Sequence, residues 1–395
     1  MNGARHRFAL GFTCFILVCI TAVYPFLLYT PNNFVTRWRE WYIETAMGTM
    51  THQWLATWFI PHDIINDVML KRYLMNRNQA GLESTWEPET DPVDETPTTP
   101  RGQFLSRFSE LDAESFDAFI QQNPEYIEDG YDKIDIDLVG DDPTKKRYDT
   151  GLWTTQGDPV VAINAEYGIL IAQIAGEDEL GLEYAGKLAF CHQPERVSVG
   201  LCEGLFSYGS FVSDMARDYD AMLAVNASGF ADYEGNGTGG IPYGFLKSEG
   251  REIQGAEGGD WKIIGFDNED RLQIGAFSDT SSLRDAVEFW PVLILNGENI
   301  IRNAGLNDAQ PRTAIGQTKD KTAMFLVVDG RKTHSFGITY AGCGEIMERY
   351  GAYQAAMLDG GSSSVMVYNG REITSPTTLS QNPEGRYLPD CFVVK

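Results

Sequence analysis

Along its length the chain changes its pattern of apolar and polar positions in a few abrupt steps. The first stretch is one unbroken apolar run, Phe8–Tyr29 (FALGFTCFILVCITAVYPFLLY), 22 residues without a charge. Such a run is long enough to cross a bilayer as a helix and longer than the usual core of a signal peptide. Residues 32–75 scatter aromatics through WREWYIETAMGTMTHQWLATWFI and read as a juxtamembrane helical segment, suited to a membrane surface or to packing on a domain. Residues 83–100, ESTWEPETDPVDETPTTP, hold almost nothing apolar and read as a linker. From about Gly151 the texture becomes short apolar runs cut by glycine: VVAIN, YGILIAQI, AMLAVNASGF, WKIIGF, RLQIGAF, VLILNGE, TAIGQ and AMFLVVDGR. Runs of this length between turn formers predict strands.

Helical spacing is confined to Phe211–Asp220 and Ile346–Tyr350, the second stopped by Gly351 as a C-cap. Asn369-Gly370, between VMVY and REI, predicts a two-residue hairpin turn. The expectation is an α+β domain built on a mixed sheet with flanking helices, preceded by an N-terminal transmembrane helix. Its parts are a signal anchor over 1–30, a juxtamembrane segment over 31–80, an acidic linker and stalk over 81–142, and the main domain over 151–395.

Charge narrows the classes. The net charge is −25, from 31 basic and 56 acidic residues, which argues against a nucleic-acid partner. Residues 83–142 hold 18 acidic and 3 basic side chains, a net of −15, so over half of the imbalance lies in the linker and the segment after it. DIDLVGDD (Asp135–Asp142) lacks the ligand spacing of a calcium-binding loop and its terminal Glu, and a solvated spacer is the favoured reading. Arg5, His6 and Arg7 precede the apolar run, and no small-x-small cleavage site follows it before Pro31. The positive-inside rule then places the N-terminus in the cytoplasm and the main domain outside the cell membrane, although Arg37 and Arg39 weaken the contrast. A cleaved signal peptide is the alternative. Cys191, Cys202, Cys343 and Cys391 lie beyond the span; three disulfide pairings are open, as are free buried thiols. No CxxC spacing suggests zinc.

Several catalytic templates fail. GLEYAGKL (Gly181–Leu188) has the glycine and lysine spacing of a phosphate-binding loop but puts Leu188 where the metal-binding hydroxyl belongs. GGSSSV puts Val365 where a nucleophile elbow needs glycine. Only His192 and His334 lie in the main domain, too few for a His-rich metal site or a confident Ser-His-Asp triad. Chemistry must rest on carboxylates, arginine and backbone amides. No cofactor is expected, and nothing in the sequence supports a divalent cation.

Four segments end an apolar strand in a small polar knot: LAVNASGFADYEGNGTGGIPYGF (Leu223–Phe245), WPVLILNGEN (Trp290–Asn299), PRTAIGQTKDKTAMFLVVDGR (Pro311–Arg331) and AAMLDGGSSSVMVYNG (Ala355–Gly370). Strand ends feeding glycine-rich loops are where sites are built, because the sheet fixes geometry and the loop exposes N–H groups. In their order VNASGF, LNGE, PRTAIGQ, VVDGR and LDGGSSSVMVYNG, these segments resemble the phosphodiester glycosidase family over roughly 164–395. LDGGSSSVMVYNG and PRTAIG carry most of the likeness. The animal member of that family removes N-acetylglucosamine from a phosphodiester on mannose. The anchor and acidic linker lie outside the likeness and look like those of a surface-anchored bacterial member.

The resemblance implies an α+β domain that hydrolyses a sugar-1-phosphodiester of a phosphoglycan or cell-surface polymer at the C–O bond. Its leaving group is a phosphate monoester, already stable as an anion, so the protein needs a cationic clamp and a carboxylate more than a strong acid. Arg312 is the candidate clamp and Asp359 the candidate catalytic carboxylate, with Asp329 and Glu298 behind it. Gly360, Gly361, Ser362 and Ser363 offer an anion nest, and Thr313 and Asn296 complete the candidate contacts. Asn226 would bind sugar or phosphate, or brace two strands. Asn226-Ala-Ser228 and Asn236-Gly-Thr238 also fit the glycosylation sequon, and at a strand end Asn226 is too enclosed to carry a glycan. The competing readings are a non-catalytic carbohydrate- or cell-wall-binding protein of the same fold, and a metal-dependent phosphodiesterase that cuts P–O.

Overall fold

The computed structural model describes residues 11–48, 52–79, 81–86, 97–146, 148–178, 181–232, 237–259, 261–302, 308–378 and 380–395. They fall into two compact units, residues 1–73 with 306–308, and residues 74–305 with 309–395.

In the first unit, Gly11–Tyr29 is one apolar helical stretch of 19 residues with mean hydropathy 2.2, long and apolar enough to cross a membrane. The basic flank Arg5–Arg7 and the first residues of the expected span lie outside the described residues. The Asn32 side chain caps helix Asn33–Met47 by accepting the Val35 N–H. From that helix, Arg39 donates to the carbonyls of Leu27 and Leu28 at 3.2 and 2.6 Å, satisfying groups that the end of the apolar helix leaves open. Leu28, Ile43, Ala46, Ala56, Ile60, Ile65 and Val68 form this unit's own core.

The second unit carries the sheets. In chain order its strands are β1 (Asp135–Asp137), β2 (Val160–Asn164), β3 (Ile169–Glu177), β4 (Glu183–Cys191), β5 (Val197–Leu201), β6 (Leu223–Asn226), β7 (Leu246–Ser248), β8 (Arg251–Gln254), β9 (Lys262–Asp267) and β10 (Leu272–Gly275). There follow β11 (Leu283–Phe289), β12 (Val292–Leu295), β13 (Glu298–Asn299), β14 (Arg312–Thr318), β15 (Ala323–Val328), β16 (Ala352–Leu358), β17 (Met366–Tyr368), β18 (Arg371–Glu372) and β19 (Asp390–Val394). A nine-stranded sheet runs β1-β2-β3-β4-β15-β14-β16-β12-β13, and two five-stranded sheets run β10-β9-β11-β7-β8 and β18-β17-β6-β19-β5. The α+β class holds. The pairings are antiparallel where a mixed sheet was expected, both in hairpins such as β3–β4 and β14–β15 and between strands distant in the chain such as β4–β15 and β14–β16.

One core serves all three sheets. Ile171, Ala189, Phe325, Ile315 and Leu358 of the large sheet meet Ile264, Phe266 and Val287 of the second and Val199, Val225, Met366 and Phe392 of the third. Strands enclosed in this way are buried on both faces, which is why they read as continuous apolar runs. Alternate residues of β6 and β19, Ala224, Cys391 and Val393, face a second cluster with Val212, Met215 and Ala216 of helix Val212–Asp218. Helix Tyr340–Arg349 ends before Gly351, whose φ is +76°. Asn369 and Gly370, with φ of +48° and +72°, make the type I′ hairpin between β17 and β18.

The acidic stretch 81–142 departs from its reading as linker and stalk, although residues 87–96 lie outside the described residues. Its later half folds: helices Pro100–Arg107 and Ala113–Gln122 pack Phe104, Phe108 and Phe116 together, and β1 extends the edge of the large sheet. The acidic residues occupy the outer faces, while phenylalanines at helical spacing supply a core that charge counting hides. Ser84 and Trp86 are also docked, through Ser84 N–H to the Ile274 carbonyl (2.7 Å) and Trp86 Nε1 to the Leu272 carbonyl (3.1 Å). Cys191, Cys202, Cys343 and Cys391 are all buried free thiols, so none of the three pairings is formed. Lys187 of GLEYAGKL lies buried in the middle of β4, not in a phosphate loop.

Candidate active site

Strand register gathers three of the expected residues at one end of the large sheet. β14 lies between β15 and β16, with Arg312 opposite Val328 and Thr313 opposite Leu358. Asp329 therefore leaves the end of β15, and Asp359 the end of β16, on either side of Arg312, about 10 Å apart by strand spacing. The Asp359 N–H binds the Ala227 carbonyl at 3.0 Å, so the end of β6 closes on the same spot from the neighbouring sheet.

After Asp359 the chain turns through Gly360 into a short 3₁₀ segment, Gly361–Ser363. Gly361 has φ +62°, and its N–H is tied to the Pro311 carbonyl at 2.8 Å. The Asp359 carboxyl is pushed up to about 7, chiefly by burial and secondarily by Asp390; the Ser363 hydroxyl, the Arg386 charge and the Gly360 N–H pull it the other way. A carboxyl in this range exchanges protons near neutrality, which general acid–base chemistry requires.

Asn226 is fully buried and every polar atom of its side chain is engaged. Its amide donates to the Asp359 backbone carbonyl at 2.6 Å; its oxygen accepts the Thr313 hydroxyl at 2.9 Å and the Val365 N–H at 3.0 Å. It braces the strands, and Thr313, also fully buried, is spent on the brace. Two residues on, Ser228 holds Asp390: its N–H donates to Asp390 Oδ1 at 2.8 Å and its hydroxyl to Oδ2. Asp390 is fully buried and pushed up to about 6 by that burial, with the Ser228 bonds opposing. The tripeptide Asn226-Ala-Ser228 thus brackets the Asp359 backbone and the Asp390 carboxyl, and is too enclosed to accept a glycan. The second sequon begins at Asn236, outside the described residues.

Three arginines surround the turn. Arg312 is buried, its Nε donating to the Ile338 carbonyl at 3.2 Å and its guanidinium 3.8 Å from the centre of the Tyr340 ring. Its stem passes Gly360, where a β-carbon would lie 3.9 Å from Arg312 Cδ. Arg331, exposed, reaches to 3.6 Å from the position a β-carbon would take at Gly361, and is steered by two bonds to Gln310 Oε1. Arg386 faces Asp359 electrostatically and is held by Asp232 at 2.6 Å. On the other flank, Asp329 is buried, accepting the Ser375 N–H at 2.7 Å and meeting His334 Nε2 at 3.0 Å. Lys187 sits behind it, pushed down to about 8 by burial while Asp329 and Asp142 hold it up.

The structure separates the remaining candidates. Asn296-Gly297, with φ of +53° and +82°, is the turn of the β12–β13 hairpin, so Asn296 and Glu298 lie exposed at the opposite end of β16 from Asp359, beyond Gln354. That is a run of about 17 Å at the usual strand rise. Asn296 there receives the Thr85 N–H and the Gln354 amide, which is structural work. A glycine-bearing strand end looks the same in sequence whether it closes a hairpin or opens a site. Conversely, Arg331, Arg386 and Asp390 escaped the sequence reading, and His334 entered it only as one of two histidines too few for a metal site or a triad. The signal available for Asp390 was an acid directly before an apolar C-terminal strand, PDCFVV. Among the described residues, no group of three or more His, Cys, Asp or Glu side chains is placed to hold a metal ion.

The Asp359 carboxyl, pushed up to about 7, thus lies beside the Gly360–Ser363 turn with Arg312, Arg331 and Arg386 around it. Residues 219–395 match the model of the phosphodiester glycosidase family, and over that part the chain is similar to its members. An uncharacterized SPbeta prophage-derived protein of Bacillus subtilis strain 168, YomE, is 40% identical over 72 residues, 18% of this chain. The match spans 11% of that curated relative's length. Among solved structures, the zebrafish N-acetylglucosamine-1-phosphodiester alpha-N-acetylglucosaminidase catalytic domain, auto-inhibited by its pro-peptide, is similar at 20% identity and a TM-score of 0.49, covering 57% of this chain and 82% of that one. A hypothetical protein from Synechocystis is similar at 13% identity and a TM-score of 0.44, over 61% and 65% of the two chains.

Proposed function

We propose that the chain is a membrane-anchored hydrolase that cleaves the glycosidic C–O bond of a sugar-1-phosphodiester outside the cytoplasm. The observation that carries this reading is Asp359, a carboxyl raised to about 7 beside the Gly360–Ser363 turn and facing Arg386. Ionised Asp359 accepts a proton from water as the water oxygen bonds to the anomeric carbon. The bond from that carbon to the phosphate oxygen breaks, and the electron pair leaves with the phosphate monoester. Arg312 and Arg331 stabilise that anion, in a fork geometry suited to phosphate oxygens. The leaving phosphate needs no proton from the protein, which fits a site with arginines where a glycosidase would otherwise place an acid. Anchoring rests on Gly11–Tyr29, and the extracytoplasmic placement on the basic residues that precede it.

Incubating the full chain in detergent with N-acetylglucosamine-1-phosphate methyl diester in ¹⁸O-water tests the chemistry. Label in the free sugar, lost in Asp359→Asn and reduced in Arg312→Lys, supports the reading. Label in the phosphate would establish P–O cleavage instead.

A further inference from the structure

The first unit holds a cavity that has no part in the chemistry above. It measures about 500 Å³, within the roughly 300–1,000 Å³ usual for ligand sites, and its lining is almost wholly apolar. Three elements wall it: Leu27 and Leu28 near the end of the apolar stretch Gly11–Tyr29, Val35 and Trp38 of helix Asn33–Met47, and Phe59 with Ile60. The walls are tied to one another by polar tips. The Tyr24 hydroxyl donates to the Phe59 carbonyl and the Tyr42 hydroxyl to the Leu55 carbonyl at 2.8 Å, while Arg39 reaches the carbonyls of Leu27 and Leu28. These three residues also line the cavity, and with their tips engaged on carbonyls they offer it rings and an aliphatic stem. Leu28 and Ile60 belong to the unit's packed core as well, so the space is backed by close-packed side chains. It is framed before anything enters it, which removes an ordering cost from binding.

Its occupant follows from where it lies. The 19 residues of Gly11–Tyr29 rise about 28 Å as a helix, nearly the roughly 30 Å hydrocarbon thickness of a bilayer. Tyr24, Leu27 and Leu28 belong to the last two turns of that stretch. In the anchored chain this wall therefore stands at the edge of the hydrocarbon, where acyl chains and not water surround it. A second observation agrees. Phe34, Trp58 and Phe59 are 69, 76 and 54% exposed, and Phe34 and Phe59 also line the cavity, so its mouth is rimmed by large apolar groups turned outward. Exposed aromatics of this kind belong at the boundary between hydrocarbon and headgroups.

Resting on the proposed anchoring, and independent of the hydrolysis, we propose that this cavity takes one acyl chain of a membrane phospholipid and so fastens helix Asn33–Met47 against the bilayer. A lipid held there is a bound ligand with three walls around it, distinct from the lipids that surround the span.

The test uses the full chain reconstituted into phosphatidylcholine vesicles that include a phosphatidylcholine with a photoactivatable diazirine at the end of one acyl chain. After illumination the adducts are mapped by peptide sequencing, and they are expected at Trp38 and Ile60 as well as along Gly11–Tyr29. Val35→Trp fills the cavity and should cut the Trp38 and Ile60 adducts about tenfold while those on the span persist. Leu27→Trp repeats the block from the span side and keeps the test decisive if the first variant misfolds. Adducts on the span with none at Trp38 or Ile60, or adducts there that survive both substitutions, would overturn the cavity and leave the anchor standing. Absence of adducts on the span would remove the anchor itself, and the lipid with it. A dimer in the vesicles that both substitutions dissolve would assign the space to a second copy of the chain and overturn the proposal as well.

Discussion

The Asn226 side-chain amide donates to the Asp359 backbone carbonyl across 2.6 Å, joining the end of β6 to the end of β16 where two different sheets meet. The same side chain takes the Thr313 hydroxyl and the Val365 N–H, so one buried residue fixes the turn that presents the candidate catalytic carboxyl. Asn226→Ala leaves three buried polar groups without partners, and the expected loss is about 3 kcal/mol, since each buried unpaired group costs roughly 1–3 kcal/mol and neighbours relax in part. Chemical denaturation would measure it. Asn226→Asp keeps the acceptor and removes the donor to Asp359, so the fold should survive better than in the alanine variant while kcat falls and KM holds.

Asp359 predicts a trade between stability and function. Its carboxyl is raised in the folded state, to about 7 from an ordinary value of 3.8, so between those limits the folded chain holds a proton that the unfolded chain releases. Its contribution is fully present below about pH 4 and is lost as pH rises through 7. Asn at this position stays neutral at every pH. Asp359→Asn should therefore be inactive yet more stable than the parent at pH 8, with the gap closing towards pH 4. Melting temperatures at half-unit pH steps would show it; a gap that widened as pH fell would mean the carboxylate is stabilised by its partners, contrary to the burial.

Arg386 lowers the Asp359 carboxyl, so its removal should raise it further. With ionised Asp359 as the base, kcat/KM falls on the acid side of about pH 7 in the parent, and Arg386→Gln should move that limb to higher pH. Arg386→Lys keeps the charge and should leave the limb near its original place. The lysine variant also keeps a cation beside Asp232, 4% exposed and otherwise left as a buried unpaired charge. A pH–rate profile for each variant decides the point; an unshifted limb in the glutamine variant would remove Asp359 as its source.

Much of this architecture was legible because the strands are enclosed on both sides. VVAIN, WKIIGF, AMFLVV and the run into Asp359 are predominantly apolar for that reason, with Asn164, Lys262 and Gln354 as buried exceptions. The glycine turns at Gly297, Gly351 and Gly370 fall where φ is positive. Long-range pairing is what the sequence hid. That β14 would lie between β15 and β16, bringing Arg312 between Asp329 and Asp359, follows from register and not from any local signal. The same ambiguity misassigned Asn296 and Glu298, whose hairpin turn carries glycine for its backbone geometry alone. Arg386 and Asp390 were hidden because they come to Asp359 from over twenty-five residues further along the chain, Arg386 in the loop before β19 and Asp390 at the start of that strand of another sheet.

Gly361 tests whether the turn after Asp359 serves the substrate or only the fold. With φ at +62°, any side chain there is strained, and Gly361→Ala should cost about 1 kcal/mol for that reason alone. Space is not limiting, since the nearest group to a new β-carbon is the Arg331 guanidinium at 3.6 Å. In the empty protein the substitution should thus be tolerated. In the working site the methyl group would stand in front of the Arg331 guanidinium, where a phosphate oxygen has to lie. Gly361→Ala should therefore raise KM at least tenfold against a small drop in melting temperature, and should weaken inhibition by inorganic phosphate in parallel. Arg331→Ala should reproduce the loss of phosphate inhibition, with a modest stability cost from leaving the buried Gln310 Oε1 without its two donors. If both variants bind phosphate as tightly as the parent, the turn is a structural corner and the anion is held by Arg312 alone.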